Sequence, residues 1–207
     1  MEALTQFGNI PIDINVLKSL LVTYAKPANK IEALVNDGTL IRLKRGLFVV
    51  SPKMSGQRLS TELIANHIYG PSYVSMESAL RYYGLIPESV YLTRSMTLKR
   101  SKKFKNTIGT FGYIQCSEDY YPIGIRQEYS GEATFLIASP EKALCDMIAF
   151  TSNLHPRFIK AMEIYLEENL RFDMEQLQNF DTKILRAIAK VSKKKDDINN
   201  LIKIIER

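Results

Sequence analysis

Basic and amide side chains in two short segments have the chemistry needed to bind nucleic acid. Asparagine can bond the edge of adenine in a bidentate manner, whereas lysine and arginine can bond guanine or phosphate. The candidate DNA-binding residues are Lys26, Ala28, Asn29, Lys30, Arg42, Lys44 and Arg45. The first four lie on or beside a predicted helix that would enter the major groove. The last three lie on a predicted hairpin that would reach phosphate or the minor groove.

The elements that would position these residues form a helix–helix–hairpin unit. Asp13 is a suitable N-cap for a first helix, whose apolar residues recur at helical spacing over 16–24. A second helix is predicted over 27–36, because proline suits a first turn and Gly38 suits the position after the last turn. Alternating apolar and basic residues around Lys44-Arg45-Gly46 predict two strands. This order is typical of a winged helix-turn-helix, a scaffold that can also bind a partner protein instead of DNA.

A second run of basic residues lies between positions 94 and 105. It consists of Arg94, Lys99, Arg100, Lys102, Lys103 and Lys105, with no acidic residue between Glu88 and Glu118. Phe104, Phe111 and Tyr113 are close in sequence and could stack on bases, which makes the run a candidate second nucleic-acid patch. The alternative is a solvated hairpin or loop whose lysines prevent an edge strand from pairing.

The sequence offers little for catalysis. Neither a G-x-x-x-x-G-K-S/T loop nor a G-x-G-x-x-G loop occurs. Asp181-Thr182-Lys183 has the letters of a nuclease site, but it lies in a predicted helical region. Two histidines and two cysteines, spread over the chain, predict no metal site, no cofactor and no disulfide framework. We therefore expect a protein that is not an enzyme, with a divergent nuclease as a third interpretation.

The composition is that of a globular protein, with 45% hydrophobic and 24% charged residues among 207. Residues 51–56 have the proline, glycine and serine content of a linker. We therefore expect a winged-helix domain over 1–52 and a second domain over 59–207. In the second domain, helices are predicted over 61–69, 76–83 and 140–150, and strands over 90–97, 111–116, 123–129 and 133–137. The expected fold class is α+β: a winged helix, then a mixed α/β domain with a mostly antiparallel sheet and a helical C-terminal tail.

The charge is distributed unevenly along the chain. The first 117 residues hold 15 basic and 7 acidic side chains, a net charge of +8, and the remaining residues have a net charge of −2. A basic N-terminal half of this kind favours a polyanionic partner.

Three blocks of the sequence resemble the AbiEi-like antitoxins, which belong to type IV abortive-infection toxin–antitoxin systems. The first block, 36–49, reads N-D-G-T-L-I-R-L-K-R-G-L-F-V and is similar to the wing of that family. The second block, 70–88, resembles its central segment, and the third, 139–146, resembles its later P-E-K-A-L-L-D helix. The blocks follow one another in the family's order over about residues 7–150. A mild departure is Phe48, where the family's wing has tyrosine.

The resemblance implies a winged helix that binds inverted repeats in the system's own promoter and represses transcription. An inverted repeat needs two copies of the winged helix, either as a dimer or assembled on the DNA. The resemblance also implies a second domain that opposes a nucleotidyltransferase-type toxin without forming a stable complex, as part of phage defence. A stand-alone regulator without a toxin partner would share the same sequence blocks.

Two further expectations concern the third block and the location of the protein. Helix capping accounts for Ser139, Pro140 and Glu141 but not for the i,i+4 pair Lys142 and Asp146, which become candidates for an antitoxic surface. Apolar runs are far shorter than the roughly 18–20 residues that span a bilayer. The first residues also lack the features of a secretory signal. We therefore expect a cytoplasmic protein with no membrane partner.

Overall fold

The computed structural model of the protein describes residues 2–87 and 91–207. It is a mixed α+β structure, and none of the described helices is long and apolar enough to cross a lipid bilayer. The N-terminal unit consists of α1 (Glu2–Thr5), β1 (Ile12–Asp13), α2 (Ile14–Leu20), α3 (Pro27–Asn36), β2 (Leu40–Lys44) and β3 (Leu47–Val50).

Local sequence signals account for the helices of this unit. The carboxylate of Asp13 accepts a hydrogen bond of 2.8 Å from the backbone N–H of Asn15 and so caps α2. Pro27 opens α3, which spans the predicted 27–36. Gly46 has a left-handed backbone with φ of +80° in the hairpin turn, a conformation that favours glycine.

The three strands form an antiparallel sheet in the order β1-β3-β2, and each face of this sheet contacts a different core. Phe48 and Val50 pack with Leu17, Ile31 and Leu34 of α2 and α3. The alternate residues Leu43, Leu47 and Val49 belong to the core of the larger part of the protein. The hairpin is therefore enclosed on both faces, and Arg45 at its tip is exposed.

The segment with linker composition forms a short helix, α4 (Pro52–Ser55). Ser51 before it is buried, and Gly56 after it adopts the left-handed conformation with φ of +70°. The segment is thus an ordered connection.

The larger part of the protein is built on a six-stranded sheet. Its elements are α5 (Thr61–Ile68), β4 (Ser72–Val74), α6 (Met76–Tyr82), β5 (Leu92–Thr97), β6 (Lys102–Lys105), β7 (Thr110–Gln115), β8 (Ile125–Ser130), β9 (Ala133–Ala138) and α7 (Pro140–Phe150). The strand order is β6-β7-β5-β4-β9-β8. Val90, where the predicted strand begins, and Glu88 lie outside the described residues.

Among the described residues, the sheet is mixed: three of its five strand pairs are antiparallel, in line with the expected mostly antiparallel sheet, and two are parallel. Strand β4 pairs with β9 and β5 pairs with β7 in parallel, while β4–β5, β6–β7 and β8–β9 are antiparallel. The parallel pairs join strands that no short turn connects, so turn signals in the sequence do not indicate them.

Helices cover both faces of this sheet. Tyr73 lies opposite Met96, and Tyr113 lies opposite Ser95, so the two tyrosines project from opposite faces. The Tyr113 hydroxyl donates to the carbonyl of Ala65 in α5, and the Tyr73 hydroxyl donates to the carboxylate of Asp146 in α7. The sheet therefore lies between α5 and α7.

The C-terminal region is helical with interruptions. It contains α8 (Ile159–Ile164), a π-helical turn (Tyr165–Asn169), a 3-10 turn (Met174–Asn179), α9 (Thr182–Val191) and α10 (Lys195–Ile205). Just before α10, the Lys194 ammonium donates to the carbonyls of Ile148, Thr151 and Leu154 at 2.9, 3.0 and 2.6 Å. These bonds fasten the C-terminal region to the end of α7.

Candidate nucleic-acid interface

Helix α3 presents a small and polar face to solvent. Its apolar residues Ile31 and Leu34 are buried in the N-terminal core. Its exposed residues are Ala28, Asn29, Glu32, Ala33 and Asn36. The predicted candidates Ala28 and Asn29 therefore lie where a ligand could reach them.

The two predicted lysines of this region lie at the beginning of α3. Lys26 is exposed beside the first turn of the helix. Lys30 is half-buried, and its ammonium lies 5.3 Å from the centre of the Tyr24 ring. Both lysines flank the polar face, and Lys30 is also held by a cation–π contact.

Arg42 on β2 joins this face through an acidic residue that sequence reasoning missed. Its guanidinium Nη2 bonds both carboxylate oxygens of Glu32, at 2.5 and 2.6 Å. The guanidinium also lies 5.5 Å from the centre of the Phe48 ring. The side chains of Arg42 and Glu32 are 42% and 58% exposed, so the pair is accessible to a ligand. Glu32 follows Asn29 by three positions on the same helix. This spacing in the sequence could have placed both residues on one face of α3.

Lys44 points to the other side of the hairpin, which separates it from Arg42. The pairing register shifts between these two residues, and the shift turns Lys44 toward the larger part of the protein. Its ammonium donates to the carbonyl of Ile68 at 2.5 Å. Burial lowers the pKa of Lys44, and the neighbouring charges of Lys99 and Lys102 lower it further. Arg45 is exposed at the tip, so the three predicted hairpin residues face three directions.

Two residues of the second basic run, Lys99 and Lys102, lie near Lys44. The Lys99 ammonium donates to the carbonyl of Gly70 and lies 5.3 Å from the centre of the Tyr69 ring. The Lys102 ammonium lies 6.0 Å from the centre of that ring and 5.0 Å from the centre of the Phe104 ring. We call Lys44, Tyr69, Lys99 and Lys102 the Tyr69 cluster. Tyr69 was missed because a tyrosine at a predicted helix end carries no charge signal.

The other residues of the basic run do not join this cluster, which corrects the prediction of one patch. Lys103 and Lys105 alternate with Lys102 along β6 and therefore project from the opposite face of the strand. Arg94 lies on β5, where its Nε is 3.2 Å from Glu77. Arg100 is exposed, and its carbonyl accepts a bond of 3.3 Å from the Tyr69 hydroxyl. The strand β6 lies at one edge of the sheet. Lys103 and Lys105 therefore fit the alternative role, in which lysines prevent an edge strand from pairing with another strand.

Lys142 and Asp146 do not form a surface, and the prediction of an antitoxic surface at these residues is wrong. Both side chains are 0% exposed, and Lys142 Nζ lies 3.4 Å from Asp146 Oδ1. The Asp146 carboxylate accepts hydrogen bonds from the hydroxyls of Ser75, Tyr120 and Tyr73 at 2.5, 2.7 and 3.2 Å. Lys142 Nζ donates to the carbonyl of Tyr120 at 2.9 Å. The physical reason is that α7 is apolar on nearly all sides and therefore buried, so this pair stabilises the interior.

Burial shapes the electrostatics of this interior network. It lowers the pKa of Lys142 and raises the pKa of Asp146, while the opposite charge of each partner acts against these shifts. Burial also raises the pKa of Cys116 to about 11 and raises the pKa of Cys145. Both thiols are free and buried, and the described residues contain no cluster of histidine, cysteine and carboxylate groups that could hold a metal ion. The geometry here indicates a structural role.

Comparisons with known proteins add little. Neither a protein-family model nor a curated protein matches the chain. Among solved structures, the chain is similar to the Rv2827c protein of Mycobacterium tuberculosis. The similarity has a TM-score of 0.49 and 10% identity, and it covers 99% of this chain and 78% of the other. A likeness at this level says nothing about function.

Proposed function

We propose that the protein is a winged-helix transcriptional autorepressor that binds double-stranded DNA with α3 and the tip of the β2–β3 hairpin. The observation that carries the proposal is the exposed face of α3, which is small and polar and lies beside a hairpin with a basic tip. This combination suits a helix that enters the major groove while the hairpin contacts the backbone.

The chemistry of that face supports direct reading of bases. Ala28 and Ala33 leave space for close approach, and Asn29 can pair with adenine in a bidentate manner. Lys26 and Arg45, both exposed, lie at the beginning of the helix and at the hairpin tip, where they can bond phosphates. Two copies of the protein would occupy an inverted repeat in the promoter.

We propose the antitoxin activity from the sequence resemblance. The second and third blocks form β4, α6 and the beginning of α7, and most of their residues are buried. They therefore support the proposal as elements of a shared fold. Co-expression with a nucleotidyltransferase-type toxin is the test, and relief of growth arrest is the expected result.

Fluorescence anisotropy with the DNA upstream of the gene tests the repressor proposal, with a scrambled duplex as control. We expect sequence-preferring binding that weakens as salt increases. Asn29→Ala should reduce the preference over the scrambled duplex. Arg45→Ala should weaken binding to both duplexes and lower the slope of log affinity against log salt by about 1, while Lys160→Ala on α8 serves as the charge control. An unchanged slope for Arg45→Ala would show that the hairpin tip makes no phosphate contact.

A second candidate function is protein recognition by the N-terminal unit. It is favoured by apolar residues of α2 and the following turn that are exposed: Val16, Val22 and Tyr24, at 41%, 75% and 47%. Equal affinity for the upstream and scrambled duplexes, together with a protein that co-purifies and is lost on Val22→Ser, would support this candidate over the repressor.

A further inference from the structure

The Tyr69 cluster gathers three lysines from two parts of the chain at one end of α5. Lys44 comes from the hairpin of the N-terminal unit, while Lys99 and Lys102 come from the segment after β5 and from β6. Lys44 donates to the carbonyl of Ile68, and Lys99 donates to the carbonyl of Gly70. These two residues precede and follow Tyr69 in the sequence. Sequence order alone gives no reason to expect this meeting.

A role as a helix cap accounts for only part of this arrangement. The C-terminal end of a helix carries a partial negative charge that one cation can neutralise. Three ammonium groups exceed this need, and Lys44 is repelled by Lys99 and Lys102 and attracted by the carboxylate of Asp13. Each ammonium has three donors, and one donor each from Lys44 and Lys99 is used on the carbonyls. The cluster therefore keeps both charge and donors available for an anion.

The position of the cluster ties it to the proposed DNA-binding face. Lys44 is the last residue of β2 and is followed directly by Arg45 at the hairpin tip. Lys99 and Lys102 are exposed and lie close enough to Lys44 for their charges to act on its ammonium. A basic surface therefore continues from the hairpin onto the larger part of the protein.

We infer that the Tyr69 cluster binds phosphates of duplex DNA that flank the segment contacted by α3. This inference rests on the proposed function. Phosphate is the expected contact because a lysine ammonium is a compact point charge. Stacking of bases on Tyr69 is not expected, since Lys99 and Lys102 already cover its ring.

The strand β6 supplies a matched control for the test. Lys102 faces Tyr69, whereas Lys103 and Lys105 lie on the opposite face of the same strand. The double variants Lys99→Ala/Lys102→Ala and Lys103→Ala/Lys105→Ala remove the same charge from the protein. Binding is measured by anisotropy from 50 to 200 mM salt, on a duplex of about 30 base pairs and on one of about 12 base pairs. Both duplexes are centred on the sequence that the wild type prefers.

On the long duplex, we expect the Lys99→Ala/Lys102→Ala slope of log affinity against log salt to fall by about 2. The wild type should accordingly lose roughly tenfold more affinity than this variant over the same salt range. The Lys103→Ala/Lys105→Ala slope should match the wild type. On the short duplex, which ends before the cluster, all three proteins should have equal slopes.

If the wild type prefers its sequence but the two double variants have equal slopes on the long duplex, the inference is overturned. A wild type with no preference for any duplex would instead overturn the proposed function. Because Lys99 bonds Gly70, the single variant Lys102→Ala guards against a folding defect, and its slope should fall by about 1 with an unchanged melting temperature.

Discussion

Two ion pairs in this protein have similar chemistry and opposite surroundings. Lys142 and Asp146 are completely buried and 3.4 Å apart, and the Asp146 carboxylate accepts hydrogen bonds from tyrosine and serine hydroxyls. Arg42 and Glu32 are about half exposed and bond each other at 2.5 and 2.6 Å. The first pair lies within α7, whereas the second joins β2 to α3. Burial therefore decides which pair stabilises the fold and which is available to a ligand.

The difference follows from the cost of removing charges from water. A buried pair is tolerated only when further hydrogen bonds satisfy it, as the three hydroxyls around Asp146 do. An exposed pair contributes little to stability because water and salt screen it. Lys142–Asp146 is therefore a structural feature, whereas Glu32–Arg42 is a candidate for DNA recognition.

The largest expected effect is that of Asp146→Ala. The substitution leaves Lys142 charged and unpaired in the interior, so the free energy of unfolding should fall by about 3–5 kcal/mol. Urea denaturation followed by circular dichroism measures the change. The control Glu118→Ala removes an exposed carboxylate and should change the free energy by less than about 0.5 kcal/mol. A loss of similar size for both variants would contradict the comparison.

Lys194 lies between the two extremes, because it is half-buried and bonds three carbonyls. Lys194→Met removes these donors from the end of α7, and we expect a loss of roughly 1–3 kcal/mol in the free energy of unfolding. The neighbouring variant Lys193→Met is exposed and should unfold like the wild type. Identical urea midpoints for the two variants would mean that the C-terminal region is held by apolar packing alone.

Glu32→Gln should have little effect on stability, about 1 kcal/mol or less, and a clear effect on the bases preferred. A glutamate can accept from cytosine, whereas a glutamine pairs with adenine in a bidentate manner. Selection of bound duplexes from a randomised pool should show this change at one base pair in each half-site. A base preference identical to the wild type, in a variant that still binds DNA, would place Glu32 outside the contact.

The smallest expected effect is on the chemical reactivity of the thiols of Cys116 and Cys145. Their reactivity reports whether water reaches the buried Lys142–Asp146 pair. Cys116 lines a cavity of about 470 Å³, whereas Cys145 is fully buried. Thiolate is the reactive form, and burial raises the pKa of Cys116 to about 11, so little thiolate exists in the folded protein at pH 8. Iodoacetamide should modify both thiols quickly in urea, Cys116 slowly in the folded protein, and Cys145 most slowly. Mass spectrometry identifies the site, and faster modification of Cys145 would show that the interior opens.

Local signals predicted the local structure well. Helix α3 spans the predicted 27–36, and Asp13 and Ser139 cap their helices through hydrogen bonds to the backbone of Asn15 and Lys142. The strand β6 was expected only under the alternative of a hairpin or loop with edge-strand lysines, because its sequence Lys-Lys-Phe-Lys has the composition of a charged loop. Its extended form depends on pairing with β7, a contact that composition does not reveal.

Predicting the candidate site was harder because burial and direction are long-range properties. Lys142 and Asp146 have the i,i+4 spacing of an exposed pair, yet nearly every neighbour on α7 is apolar, which is the signal of a buried helix. Lys44 and Arg42 appeared to share a face until the shifted register separated them. Tyr69 and Lys99 lie beside Lys44 only because the fold brings the hairpin to the end of α5.

The enclosure of the hairpin by two cores has a consequence for how this protein can evolve. Leu43, Leu47 and Val49 face the larger part, so residues 1–52 are not an exchangeable module. A gene fusion that transferred them alone would expose three large apolar side chains to water. The N-terminal unit and the larger part must change together, and two copies of the proposed repressor on an inverted repeat would meet as rigid bodies, without a hinge at the hairpin to adjust their spacing.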